Sequence, residues 1–126
     1  MIMLDTSLLV DALAGEKASA PALIRALAQG EAIVLSTIVL YEWLRGPRSR
    51  AEIDSQEALF AGDSAIPFEA ADARLAAKIY RSLNRARGRE ADIAIAATAI
   101  RHEAHLWTLN ARDFADIPGL SLWRPR

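Results

Sequence analysis

Residues 1–6 read M-I-M-L-D-T, apolar side chains running straight into an acid and then a hydroxyl. Ile2 and Leu4 fit a short strand buried in a sheet, and Asp5 falls where that strand ends. A carboxylate cannot sit in an apolar core without a partner, because burying it unpaired costs several kcal/mol or more. In an open α/β sheet, the carboxyl ends of the strands form the ligand edge. The plainer reading makes Asp5 a cap for the next helix, since Asp and Thr are both good N-caps.

Outward from this strand, helical and strand patterns alternate. Thr6 is expected to cap a helix carrying Leu8, Leu9, Ala12 and Leu13 and ended by Gly15. Ser19 and Pro21 open a second, closed by Gly30. The branched run Ala32–Leu35 predicts a second buried strand. Ser36 and Thr37 cap a helix from Ile38 to Leu44 that Gly46-Pro47 stops. Ala51–Phe60 reads as a helix, Gly62–Pro67 as a turn with a very short strand, and Glu69–Leu83 as a long alanine-rich helix. A nearly buried helix follows from about Ala91 to Glu103, then a strand at Leu106–Leu109 and a candidate edge strand at Leu120–Trp123. Such alternation predicts one α/β domain over 1–126, a mainly parallel sheet with helices on both faces.

Composition narrows the function. The 126 residues are 52% apolar and 25% charged, enough for one real core. No apolar run reaches the roughly 18 residues of a membrane span, and Met1 opens on a strand without a basic leader or a cleavage signal. Cysteine is absent, which excludes disulfides and thiolate catalysis and fits a cytoplasmic protein. The formal net charge is −1, yet every basic residue except Lys17 and Lys78 is arginine. Arg81, Arg85, Arg87 and Arg89 crowd one span, and Arg45, Arg48 and Arg50 form a second group. Arginine's rigid fork suits phosphate, although a solvated helix face accounts for such clusters equally well.

Three further acids interrupt apolar or turn segments. Glu42 lies between Tyr41 and Trp43, Asp92 between Ala91 and Ile93, and Asp113 just past a strand in T-L-N-A-R-D-F. Singly, each is an ordinary cap or loop residue. Together with Asp5 they share a geometry, because strand ends and helix N-termini converge on one edge of a parallel sheet. Crowded carboxylates repel, and a divalent cation is the usual relief. Oxygen-only ligands point to Mg²⁺ or Mn²⁺ rather than zinc, and such an ion serves phosphodiester hydrolysis. His102 and His105, near the far end of the last long helix, read as helix-end or surface residues. There is no phosphate-binding glycine loop, no G-x-S-x-G elbow and no H-E-x-x-H. Ser7 stands where a haloacid-dehalogenase-type start has a second Asp, and a receiver-type domain lacks its late lysine.

With these residues in view, the chain resembles PIN-domain proteins and, among them, the VapC-type toxins of bacterial toxin–antitoxin modules. The resemblance spans the whole chain. It is carried by M-I-M-L-D-T-S, by L-S-T-I-V-L-Y-E-W-L-R-G, by A-D-I-A-I-A-A-T-A and by T-L-N-A-R-D-F. It implies that Asp5, Glu42, Asp92 and Asp113 are the catalytic acids, with Asp5, Asp92 and Asp113 on the metal. The fourth acid is supplied in some relatives three places earlier, at Asn110 here. Ser7 departs from the more usual Asn. Thr6, Ser7, Ser36, Thr108 and Asn110 would support the site. The family resemblance further implies a Mg²⁺- or Mn²⁺-dependent endoribonuclease, usually a homodimer, that cuts tRNA, rRNA or mRNA. A cognate VapB-type antitoxin would inhibit it, and the complex would bind operator DNA. Arg45, Arg48, Arg81, Arg85, Arg87 and Arg89 are candidates to meet either the RNA backbone or the antitoxin. Two rivals stand beside this reading: a PIN nuclease for DNA or structured nucleic acid, and an acid-pocket domain that binds without cleaving.

Overall fold

The computed structural model describes residues 1–125. Its centre is strand β1, Ile2–Leu4, whose three side chains are almost wholly removed from solvent. β2 (Ile33–Val34) pairs with it on one side and β3 (His105–Trp107) on the other, both parallel, in the order β2-β1-β3. Ile2 faces Ile33 and His105 in register, and Leu4 faces Trp107. Parallel strands need crossover connections, and here helices supply them. The fold is a three-layer α/β/α domain with a parallel sheet at its middle.

Helix α1 spans Thr6–Leu13, α2 Ala20–Ala28, α3 Thr37–Arg45, α4 Arg50–Leu59, α5 Ala70–Ser82 and α6 Glu90–Arg101. An eight-residue helix such as α1 does not hold in water alone. Leu8, Leu9 and Ala12 fasten it to the core, the two leucines contributing about 1.5–3 kcal/mol each on full burial. α3 begins where the Ser36 hydroxyl accepts the Val39 N–H at 3.2 Å, and it buries Val39 and Trp43. α4 opens with a reciprocal cap: the Ser49 hydroxyl accepts the Glu52 N–H and the Glu52 carboxylate accepts the Ser49 N–H. α6 is the most deeply set helix, with Ile93 and Ile95–Ala99 all buried, as its alanine–isoleucine composition predicts. α5 packs along α6, and their contact encloses one charge pair. Asp72 is fully buried and bonded at 2.9 Å by Arg101, which is one-third exposed.

Several sequence expectations need correction. Gly62–Pro67 and Leu120–Trp123 make single parallel bridges, Ser36 with Ile66 and Leu106 with Leu122, rather than strands. Pro67 lacks an N–H, and Pro118 and Gly119 bend the chain just before the second bridge, so neither ladder lengthens. Two short 3-10 turns, Gly62–Ser64 and Ala111–Phe114, were not foreseen. The cap position of α1 is Asp5, not Thr6, and that of α6 is Arg89, which leaves Asp92 inside the first turn. The histidines fall as expected, His102 at the C-cap of α6 and His105 exposed, at the opening of β3.

Candidate active site

Asp5 holds the cap position of α1 but makes no capping bond with its side chain. Its carboxylate is 4% exposed and turns across the sheet edge toward β3. Oδ2 accepts the Thr108 hydroxyl at 2.6 Å and the Ser7 hydroxyl at 2.9 Å. Those hydroxyls are themselves fixed, Thr108 by the Asn110 N–H at 3.0 Å and Ser7 by the Leu109 N–H at 3.1 Å. Oδ1 receives no protein donor among the described residues. Asp5 is therefore a held carboxylate with one oxygen left for a ligand, and the capping interpretation falls.

Glu42 reaches the same edge from α3. Its Oε1 accepts the Thr6 hydroxyl at 2.6 Å, and its Oε2 lies 3.5 Å from Arg45, one turn further along. Thr6 thus serves the site instead of capping its helix. Asp92, in the first turn of α6, has no hydrogen-bond donor of its own among the described residues. Burial pushes its carboxyl from 3.8 to about 6, and the charges of Asp5, Glu42 and Asp113 push the same way, while Arg89 opposes them. The charges of Asp5, Glu42 and Asp113 thus meet at Asp92, although the four lie far apart in the chain.

Oxygen-only donors in a shared negative field fit a hard divalent cation in charge and in donor type. Among the described residues, however, no three acidic or histidine side chains stand close enough as placed to grip one ion. Asp5 and Glu42 point at the hydroxyls that hold them, and repulsion works against closer approach. Asp5, Glu42 and Asp113 are near enough for their charges to act on Asp92, but no closed ligand set is present among the described residues.

The remaining candidates divide clearly. Thr6, Ser7 and Thr108 touch the acids, whereas Ser36 caps α3 and Asn110 contributes its backbone N–H. Arg48 bonds the Trp43 carbonyl at 2.9 Å and lies over that indole at 4.3 Å, so its fork is spent on the end of α3. Arg89 is likewise engaged, in a two-pronged pair with Asp116. Arg81, Arg85 and Arg87 are exposed and their side chains form no bond among the described residues. Asp116 was missed, since an exposed acid in a turn has no local signal. A cavity of about 400 Å³ lined by Trp107, Thr108, Leu109 and Trp123 opens beside the site, but none of the four acids lines it.

A parallel sheet flanked by helices, with acids from three other segments acting on Asp92, defines an α/β domain with an acidic edge. The PIN domain profile matches residues 2–120. The chain is 37% identical over 123 residues to ribonuclease VapC19 of Mycobacterium tuberculosis, covering 95% of this chain and 97% of that one. Among solved structures it is similar to VapBC2 of Rickettsia felis bound to a promoter DNA fragment, at 26% identity and a TM-score of 0.74, covering 98% and 100%. DNA-bound VapBC of Salmonella typhimurium shares the fold at a TM-score of 0.78 and 22% identity, covering 97% and 96%. The chain belongs to the PIN-domain family, in its VapC-type toxin branch.

Proposed function

We propose that this protein is a toxin-type, metal-dependent endoribonuclease restrained by a cognate antitoxin. The observation that carries this reading is Asp92, which burial, and then the charges of Asp5, Glu42 and Asp113 from three other parts of the chain, raise to about 6. The likeness to a relative named a ribonuclease supports RNA as the substrate. The VapBC complexes among the solved structures support an antitoxin partner and operator DNA bound through the complex.

Asp5, Asp92 and Asp113 would hold Mg²⁺ or Mn²⁺, with Glu42 as a fourth ligand or as the group that orients water. Once bound, the ion supplies neutralisation of phosphate charge and a more acidic water. Ser7 and Thr108 keep the Asp5 carboxylate in one pose, and Thr6 does the same for Glu42. Water adds its oxygen to phosphorus in line as the bond from phosphorus to the 3′-oxygen breaks. Its protons end on the departing 3′-oxygen and on an acid of the site, leaving a 3′-hydroxyl and a 5′-phosphate. Exposed Arg81, Arg85 and Arg87 would hold backbone phosphates without reading bases, as would Arg45 if it left Glu42. The same arginines suit an acidic stretch of antitoxin, which would then compete with RNA. Exposed Tyr41 and Leu44 on α3 and Tyr80 on α5 favour a homodimer that covers them.

The test is incubation of purified, antitoxin-free protein with total cellular RNA and with single-stranded DNA, in Mg²⁺, Mn²⁺ or EDTA. A folded Asp5→Ala variant serves as control. Discrete metal-dependent RNA fragments, absent from the control, are the expected result. Cleavage of DNA alone would transfer the reading to the DNA rival, and no cleavage of either would favour binding without catalysis.

A further inference from the structure

The sequence leaves Arg89 among the candidate nucleic-acid contacts, yet its guanidinium is the most heavily bonded side chain in the neighbourhood of the acids. Nη2 donates to Asp116 Oδ1 at 2.6 Å and to the Asp113 backbone carbonyl at 2.8 Å. Nη1 donates to Asp116 Oδ2 at 3.0 Å and to the Arg85 carbonyl at 2.8 Å. Four bonds from one planar fork join the turn at 85–89, which leads into α6, to Asp113 in the 3-10 turn and to Asp116 just beyond it.

Two of the acids sit on the segments so joined. Asp92 is three residues beyond Arg89 in the first turn of α6, and Asp113 belongs to the 3-10 turn. That turn is a single one, followed by a connection to an isolated bridge, and it has little regular structure to fix it. Phe114 and Ile117 are buried and anchor it to the core. Two buried side chains fix an axis, however, and leave rotation about that axis free. Arg89 bonds the chain at 113 and at 116, on both sides of Phe114, and so removes the rotation. Only a guanidinium can reach a carboxylate with two prongs while also donating to two carbonyls.

We infer that Arg89 and Asp116 form a clasp that positions Asp113 opposite Asp92, making both of them positioning residues for the acidic site. The clasp acts through Asp113 and does not meet the RNA. It rests on the reading of the site given above. The partner is well chosen for this work: the hydrogen bond from Arg89 holds the Asp116 carboxyl below its ordinary value, so the pair stays charged through the neutral range. The Arg89 charge also eases the repulsion felt by Asp92.

Asp116 is 52% exposed, so replacing it should not disturb the core. Asp116→Ala, Arg89→Lys and the wild type are compared in three ways: amide hydrogen exchange over residues 111–116, Mn²⁺ affinity by titration, and RNA cleavage resolved into kcat and KM. Both variants are expected to exchange faster over 111–116 while the amides of α6 and β1 keep their protection. Mn²⁺ affinity and kcat should each fall about 10-fold or more, with KM within about twofold, as for supporting residues around metal ligands. Lysine keeps the charge but not the fork, so failure of Arg89→Lys to rescue distinguishes geometry from charge. Wild-type affinity and kcat in both variants would overturn the clasp and leave the ribonuclease reading intact. A selective rise in KM, with exchange over 111–116 unchanged, would instead return Arg89 to the RNA contacts and overturn it too. A wild-type protein that neither binds Mn²⁺ nor cuts RNA would remove the underlying reading instead.

Discussion

At the scale of single residues, the site is a set of carboxylates whose surroundings differ. Asp5 and Glu42 are each held by hydroxyls, whereas Asp92 has none among the described residues, and burial with the neighbouring acids raises its pKa to about 6. Between pH 3.8 and 6 the folded protein holds the Asp92 proton more tightly than the unfolded chain does, so this residue's contribution to stability falls as pH rises through that window. Asp92→Asn should therefore be more stable than the wild type at pH 7 by about 1–2 kcal/mol, after allowance for solvent screening. The difference should close as pH falls toward 4, which urea unfolding in EDTA at both pH values would check. Thr108→Val removes a donor from the buried Asp5 carboxylate and should cost about 1–3 kcal/mol by the same method. The identities of these acids were legible because an acid in an apolar run is conspicuous. Their supporting bonds were only partly so, since Thr6, Ser7 and Thr108 are as ordinary at a helix start or strand end as elsewhere.

At the scale of elements, helices were easier to read than strands. Periodic apolar residues mark α1, α3, α5 and α6 directly, and Gly46-Pro47 marks an end. The strands are two or three residues long, too short for a pattern, and the flanking segments at Ile66 and Leu122 pair through a single bridge each. Interactions between distant elements left no trace in local sequence. Asp72 reads as a first-turn acid of α5, yet it is fully buried and paired with Arg101 across to α6. Removing that partner strands a charge in the interior with only the Glu69 N–H beside it. Arg101→Ala should destabilise the protein by about 2–4 kcal/mol, less than a fully enclosed pair because Arg101 is partly exposed. Replacing both residues by a well-packed apolar pair should recover most of that loss, and a double-mutant cycle in urea would measure it.

At the scale of the whole molecule, the parallel sheet does the assembling. β1, β2 and β3 run the same way, so residues near 5, 42, 92 and 113 arrive at one edge from four parts of the chain. The formal net charge of −1 hides this gathering of acids, and Arg81, Arg85 and Arg87 are exposed. If those arginines follow the RNA backbone, replacing all three by Gln in an inactive Asp5→Asn background should make the logarithmic salt slope of RNA binding shallower by about 2. Filter binding from low to moderate salt reads this directly. The central claim is that four separated acids make one cation site, and titration of Mn²⁺ followed by the electron paramagnetic resonance of the free ion tests it most directly. Saturable binding to the wild type, lost in Asp5→Asn and in Asp92→Asn while both variants remain folded, is the predicted result. Equal binding in the wild type and both variants, or none in any of them, would contradict it.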